Sequence, residues 1–366
     1  MSQLKVNTIR HTSASSDAIT LASDGTATAK ITNNLSNRNL VINGDMRINQ
    51  RRSSSTTTNQ YVCDRFRWFF AGHDETPTCA KVDLTSSDTG PWEKGFRHAL
   101  QITNGNQTGG AGAADECSFY YQVEAQDIAN SGWDYTSASS YITLSFWLKS
   151  SVAQNFYSYL ATSDGSSQMY LYETGDCTAN TWKKVVLKIP GNSNIQIDNN
   201  TEHGFAFSIA AFWGSDYTVA SPTLNAWTGW SGSARAKDNE TTWWTTNDAT
   251  FAITGVQLEV GDTATEFEHL SLQDSNNRCY RYYQAFVAEF RMDDTADGVI
   301  VYDTVMLPTQ MRAAPTIESS YVSSYNVNTG ASLEDSHIST DAICFGHRAS
   351  GAGSRARRDI GLSAEL

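Results

Sequence analysis

The sequence predicts an all-β protein: a jelly-roll β-sandwich followed by a smaller C-terminal β domain, with a short extended segment at the N-terminus. Three observations predict it. Short runs rich in β-branched and aromatic residues recur along the chain, several alternating apolar residues with Ser or Thr, which is the period of a strand with one solvated face. Gly and Asn clusters separate these runs, residues 104–112 above all. No long stretch repeats the 3.6-residue spacing of an amphipathic helix with capping signals.

Taken in order, residues 1–36 form a first unit. Residues 4–9 and 18–21 alternate like short strands, and Asp24-Gly25 supplies a turn before 26–31. The first aromatic residue is Tyr61, so this segment buries little alone and is expected to pair with copies of itself or with another protein. Residues 39–51 and 253–261 each read as a strand broken by glycine and polar turn residues. Between them, 118–124, 141–149, 182–189, 205–212 and 250–253 read as strands of a sandwich spanning 37–272. Trp68, Trp147 and Trp182 lie in such runs and are assigned to the core. Residues 271–284 begin like a short helix, with Leu272, Cys279 and Tyr283 on a helical spacing, and 273–284 is read as a connector. A C-terminal domain follows over 285–366, with strands at 285–290, 298–307, 316–325 and 342–347. Its size is small for an independent sandwich, which points to packing against neighbouring subunits.

Composition narrows the function classes. A chain of 366 residues can bury a sizeable core. Its net charge of −13 argues against nucleic acid as a partner and against anionic membrane surfaces. The basic cluster Arg355-Ala356-Arg357-Arg358 reads as a salt-bridged surface or a subunit contact. Six cysteines without CxxC or zinc spacing read as free, mostly buried thiols of a chain folding in a reducing cytoplasm. The opening residues Met1 to Lys5 lack the apolar stretch of a signal peptide, and apolar runs such as 205–213 are too short to cross a bilayer.

No constellation of catalytic residues stands out, so neither catalysis nor a cofactor is expected. GxSxG, HExxH, Walker and GxGxxG motifs are missing, and the seven His residues have no ligand spacing. The acidic pairs Asp74-Glu75, Asp293-Asp294 and Glu334-Asp335 read as solvated loop charge. Asp293 to Gly298 lacks the alternating ligands of a calcium loop and reads as a hairpin turn, so no metal is expected. The Trp-rich insert 214–247 is the candidate binding element. Trp227, Trp230, Trp243 and Trp244 are candidate glycan or receptor contacts, since aromatic rings on loops stack on pyranose faces while neighbouring polar groups bond the hydroxyls. The competing reading buries them under the loop or at a subunit interface.

Several islands also carry a family resemblance. "NLVINGDMRINQR" (39–51), "YVCDRFRW" (61–68), "ITGVQLEVG" (253–261), "TATEFEHLSLQDSNNRCYRYYQ" (263–284), "LPTQMRAAPTI" (307–317) and "GLSAEL" (361–366) resemble, in order and spacing, bacteriophage tail-fibre and virion-appendage proteins with a carbohydrate-binding-module-like jelly roll. "LKVNTI" and "ITLASDGTATA" are similar to N-terminal pieces of structural proteins in phages of marine cyanobacteria. The resemblance implies a homotrimer on a virion, folded in the bacterial host cytoplasm. Residues 1–36 would dock to other tail or capsid proteins, and the β domains would contact a host surface glycan or outer-membrane component. It implies no shared catalytic residues. A head fibre or capsid decoration protein is the nearest alternative, and a glycan-active depolymerase, from a different class, the next.

Overall fold

The computed structural model of the chain describes residues 5–15, 17–29, 37–292, 300–325, 334–348 and 354–366. Its centre is a jelly-roll β-sandwich of two antiparallel sheets. One sheet has six strands, in spatial order Lys183–Pro190, Tyr141–Ser150, Thr250–Val260, His98–Thr103, Thr78–Asp83 and Ser54–Ser55. The other has seven: Trp227–Gly229, Gln168–Glu173, Tyr157–Thr162, His203–Trp213, Glu116–Glu124, Arg67–Ala71 and Gln60–Tyr61. The strands expected at 118–124, 141–149, 182–189, 205–212 and 250–253 are all present, with ends shifted or extended.

The core forms where the period-2 pattern points inward from both sheets. Ile142, Leu144, Phe146 and Leu148 face Phe119, Tyr121, Phe205 and Phe207 in one continuous apolar cluster. Trp68 belongs to it, fully buried. Trp182 is also buried, but in a smaller cluster with Leu84 and Phe96. Trp147 corrects the core assignment: it is only half-buried and packs at the edge of that same smaller cluster, because alternation turns it away from Phe146 and Leu148.

Residues 39–51 are not a strand. They run as successive turns, and asparagine side chains take over the bonding that a ladder would supply. Asn43 receives Ile48 N on Oδ1 at 2.8 Å and donates Nδ2 to the carbonyls of Ile48 and Asp64 at 2.9 and 3.0 Å. Asn39 Oδ1 accepts from Val41 N and Leu258 N, each at 3.0 Å. This segment lies directly on residues 253–261: Leu40 N donates to Leu258 O and Val256 N to Gly44 O, both at 2.9 Å. A Cβ on Gly44 would stand 2.0 Å from the Val256 carbonyl oxygen, so the close approach requires glycine there.

At the N-terminus, Thr8–Ile9, Ile19–Leu21 and Ala27–Ala29 form a small antiparallel sheet. Asp24-Gly25 makes the expected turn, with Gly25 at φ 89° and Thr26 N on Asp24 Oδ1 at 2.9 Å. The helix Leu272–Tyr280 is capped by Ser271, whose Oγ accepts Asp274 N at 3.1 Å. Cys279 is buried beneath it while Leu272 is exposed, and Tyr283 already opens the next strand, so the helical spacing ends earlier than the sequence suggests.

Beyond the helix, two three-stranded antiparallel sheets follow: Tyr283–Met292, Ser354–Ser363 and Thr316–Tyr325; then Ile300–Met306, Ala342–Arg348 and Glu334–Ile338. They share a small core of Leu307, Met311, Ile343, Ile360 and Leu362. The strand Ser354–Ser363 was not anticipated, because its first half carries the basic cluster, yet it is the middle strand of its sheet. The side chains of Arg355, Arg357 and Arg358 lie outside the described residues, as do residues 293–298 and the side chains of Glu334 and Asp335. All six cysteines are free, five of them buried. Among the described residues no helix is long and apolar enough to cross a membrane.

Candidate functional site

Most of the scattered islands singled out in the sequence meet at one place, the junction between the sandwich and the C-terminal sheets. Arg65, held at φ 74°, bonds the carboxylate of Glu365, next to last in the chain, and donates to Gln122 O at 2.6 Å. Its guanidinium lies 3.5 Å from the ring centre of Tyr282. Arg51 reaches Glu365 and Glu318, each at 3.2 Å, and stacks on Tyr283 at 3.6 Å. Asp64 receives Gln50 through its backbone N at 3.0 Å and its Nε2 at 2.6 Å. Arg281 holds Glu124 through two bonds of 2.6 and 2.7 Å, and Tyr282 adds a third at 2.6 Å. Burial alone would raise the Glu124 pKa, but these donors bring it below the ordinary carboxylate value. Arg312 bonds the carbonyls of Ala364 and Glu365 at 2.9 and 3.1 Å, and Thr201 O at 2.9 Å. These groups bond one another in a largely buried network that holds the chain end to the sandwich.

The insert is different. Its end, the one-turn helix Thr242–Thr245, plugs one end of the sandwich. Trp243 and Trp244 are each 0% exposed and belong to the main core. Trp243 Nε1 donates to Thr250 O and Trp244 Nε1 to Gly110 O, both at 3.0 Å, so each indole finds a carbonyl partner inside. Trp244 packs on Phe212 at 4.8 Å and His73 at 4.2 Å between ring centres. As glycan contacts these two residues are therefore excluded: they anchor the insert.

Trp227 and Trp230 stand elsewhere. Trp227–Gly229 adds an edge strand to the seven-stranded sheet, pairing with 168–170. Trp227 is half-buried, with Nε1 on Pro190 O at 2.7 Å and its ring 5.3 Å from Tyr170. Trp230 is 42% exposed, tied by its backbone N to Ser167 O at 2.9 Å, with its ring edge-on to Tyr159 at 5.4 Å. Beside them lies a pocket of about 370 Å3 lined by Met169, Leu171, Trp227, Thr228 and Ser231 among others.

Strand register extends this patch across the sheet, because directly paired residues share a face. Leu171 pairs with Tyr159, Tyr120 pairs with both Ser208 and Arg67, and Arg67 lies 5.0 Å from the Tyr120 ring centre. The insert roofs the upper part of this outer face. Arg235 lies 4.6 Å from the Tyr217 ring and 5.4 Å from the Trp213 ring, and Arg235 Nη1 is 3.5 Å from Glu116. Arg67, Tyr120 and Tyr159 were not singled out from sequence. The signal was there in residues 157–159, where two tyrosines alternate with a serine and it is the serine that points inward, fully buried.

The remaining chemistry-bearing groups have structural work. Asp74 accepts Gly109 N at 2.5 Å and Glu75 accepts Asn106 N at 2.8 Å, which pins the glycine-rich loop 104–112. Ser163 and His203 are hydrogen-bonded partners, but Asp164 is turned to Asp198 N at 2.8 Å. Among the described residues no group of three metal-ligating side chains comes together.

The chain matches no protein-family model, and no curated protein matches it. Solved structures similar to it include the enzymatically active domain of tailspike protein 4 from bacteriophage CBA120, at 11% identity and a TM-score of 0.30, over 61% of this chain and 21% of that one. The CBM22-1 xylan-binding domain from Paenibacillus barcinonensis is similar at 9% identity and a TM-score of 0.29, over 62% of this chain and 96% of that one. A family 11 carbohydrate-binding module from Clostridium thermocellum follows at 9% identity and 0.26, over 60% and 100%. Likeness of this degree says nothing of a ligand.

Proposed function

We propose that this protein is a non-enzymatic structural component of a phage particle that contacts a glycan through Trp230 and the pocket beside it, on the insert that covers the outer face of its seven-stranded sheet. The observation that carries the reading is Trp230, held in place by a strand edge and Tyr159 yet open to solvent, beside a pocket with both apolar and hydroxyl-bearing walls. Aromatic faces with polar neighbours suit pyranose rings. Assembly supports the same reading: the C-terminal sheets expose Val287, Tyr302 and Met306, a set of apolar side chains that a second and third copy would cover. In this reading the sheet of residues 8–29 docks to a tail or capsid protein, and many weak sites on one particle act together.

Trp230→Ala tests it. Binding of the full-length protein to host-surface polysaccharide is expected to weaken roughly tenfold or more while the melting temperature stays unchanged, because a solvent-facing ring contributes little to folding. Equal binding by wild type and variant sinks the proposed contact.

A further inference from the structure

A second concavity, a groove of about 680 Å3, lies away from the insert. Residues 37–42, the short helix Ala125–Ala129, the helix Leu272–Tyr280 and the turn at 309–310 border it. Its size falls within the ~300–1,000 Å3 range of ligand clefts. Leu40, Ile42, Val260 and Tyr282 give it a partly apolar floor, while its rim carries planar polar groups: Gln126, Asp127, Asn130, Asn277 and Arg278.

Two of these groups are left open. The Asp127 carboxylate has no hydrogen-bond or ion-pair partner among the described residues. Arg278 gives one bond, to Asn37 Oδ1 at 2.6 Å, and no carboxylate pairs with it among the described residues. Both side chains line the same groove, and no ion pair joins them among the described residues. The other arginines at the rim are already neutralised: Arg281 by Glu124 and Arg38 by Glu259. A phosphate would therefore meet one available guanidinium and an opposing carboxylate. An extended peptide would meet the end of one strand, Val260, which already pairs with Ile142. A sugar hydroxyl, by contrast, both donates and accepts.

We propose that this groove is a second saccharide site, with hydroxyls of a hexose bonding Asp127 and Arg278 and its ring resting on the partly apolar floor. It goes beyond the insert reading and rests on different residues.

The test titrates full-length protein by calorimetry with cellohexaose, maltohexaose and an oligogalacturonate hexamer, in wild type and in Asp127→Asn, Arg278→Gln and Trp230→Ala. Melting temperatures serve as the folding control. The expected result is that a hexose probe binds, that each groove variant weakens that component roughly tenfold or more, and that Trp230→Ala leaves it in place. Loss of binding in the groove variants alone keeps the groove, and the insert contact is then decided by the Trp230→Ala assay on host-surface polysaccharide. Binding removed by Trp230→Ala but untouched by both groove variants overturns the groove and keeps the insert. Preference for the galacturonate, or no wild-type binding to any probe at millimolar concentration, also overturns the groove.

Discussion

Trp244 and Trp230 lie fourteen positions apart in one insert and do opposite work, as their surroundings show. Trp244 fills the sandwich end between Phe212 and His73, so Trp244→Ala leaves a cavity and is expected to cost about 3–5 kcal/mol in denaturant unfolding. A loss under about 1 kcal/mol would contradict its anchoring role. His73, packed between Phe70 and Trp244, has its pKa lowered from 6.5 to about 4 because burial disfavours the charged ring. The unfolded chain takes up this proton near pH 6.5 and the folded chain only near pH 4. The stability contributed by neutral His73 is thus fully present above pH 6.5 and is lost as the pH falls towards 4. The ring is only partly buried, so the loss is expected to be on the order of 1 kcal/mol. Comparing unfolding free energies of wild type and His73→Phe across that window isolates it; parallel curves would refute it.

At the scale of elements, the chain end is tied back to the sandwich by Arg51 and Arg65 on Glu365. Glu365→Gln leaves Arg65 buried without its counter-charge, at a cost of about 3–5 kcal/mol. Amide exchange is expected to quicken in Tyr283–Met292 and Ser354–Ser363 while Tyr141–Ser150 stays protected. Uniform quickening throughout would mean that the network does not act locally. How far elements were legible follows from the same physics. Strands such as Tyr141–Ser150 announce themselves because one face is buried and the period is 2. Residues 39–51 were misread because Asn39 and Asn43 replace backbone partners with side-chain amides, which composition does not distinguish from a broken strand. The strand Ser354–Ser363 was hidden by its arginines. Of the candidate site, the insert was legible and the sorting of its four tryptophans was not, since a Trp-Trp pair reads alike on a loop and in a core. The tyrosines of the outer face were missed because their sheet is covered from above, which removes the polar alternation expected of a solvated face.

For the whole molecule, the proposed assembly makes a direct statement about mass. Light scattering of the purified full-length protein is expected to give three times the 40.2 kDa chain, held by the β domains. A monomer at micromolar concentration would remove the trimer from the proposal while leaving the glycan contact to stand on Trp230. The double anchoring of the insert has a further consequence. The segment is clamped on one side where Asn239 Nδ2 meets Trp213 O at 3.2 Å, and on the other where Trp243 and Trp244 enter the core. Between those clamps Thr228, Gly229 and Trp230 are exposed, while the Trp227–Gly229 strand pairing, the Arg235–Glu116 contact and buried Ala236 belong to the scaffold. Exchanging the exposed side chains of Thr228 and Trp230, with that pairing, Arg235, Ala236 and both clamps retained, would change the surface the protein presents without rebuilding the scaffold that carries it.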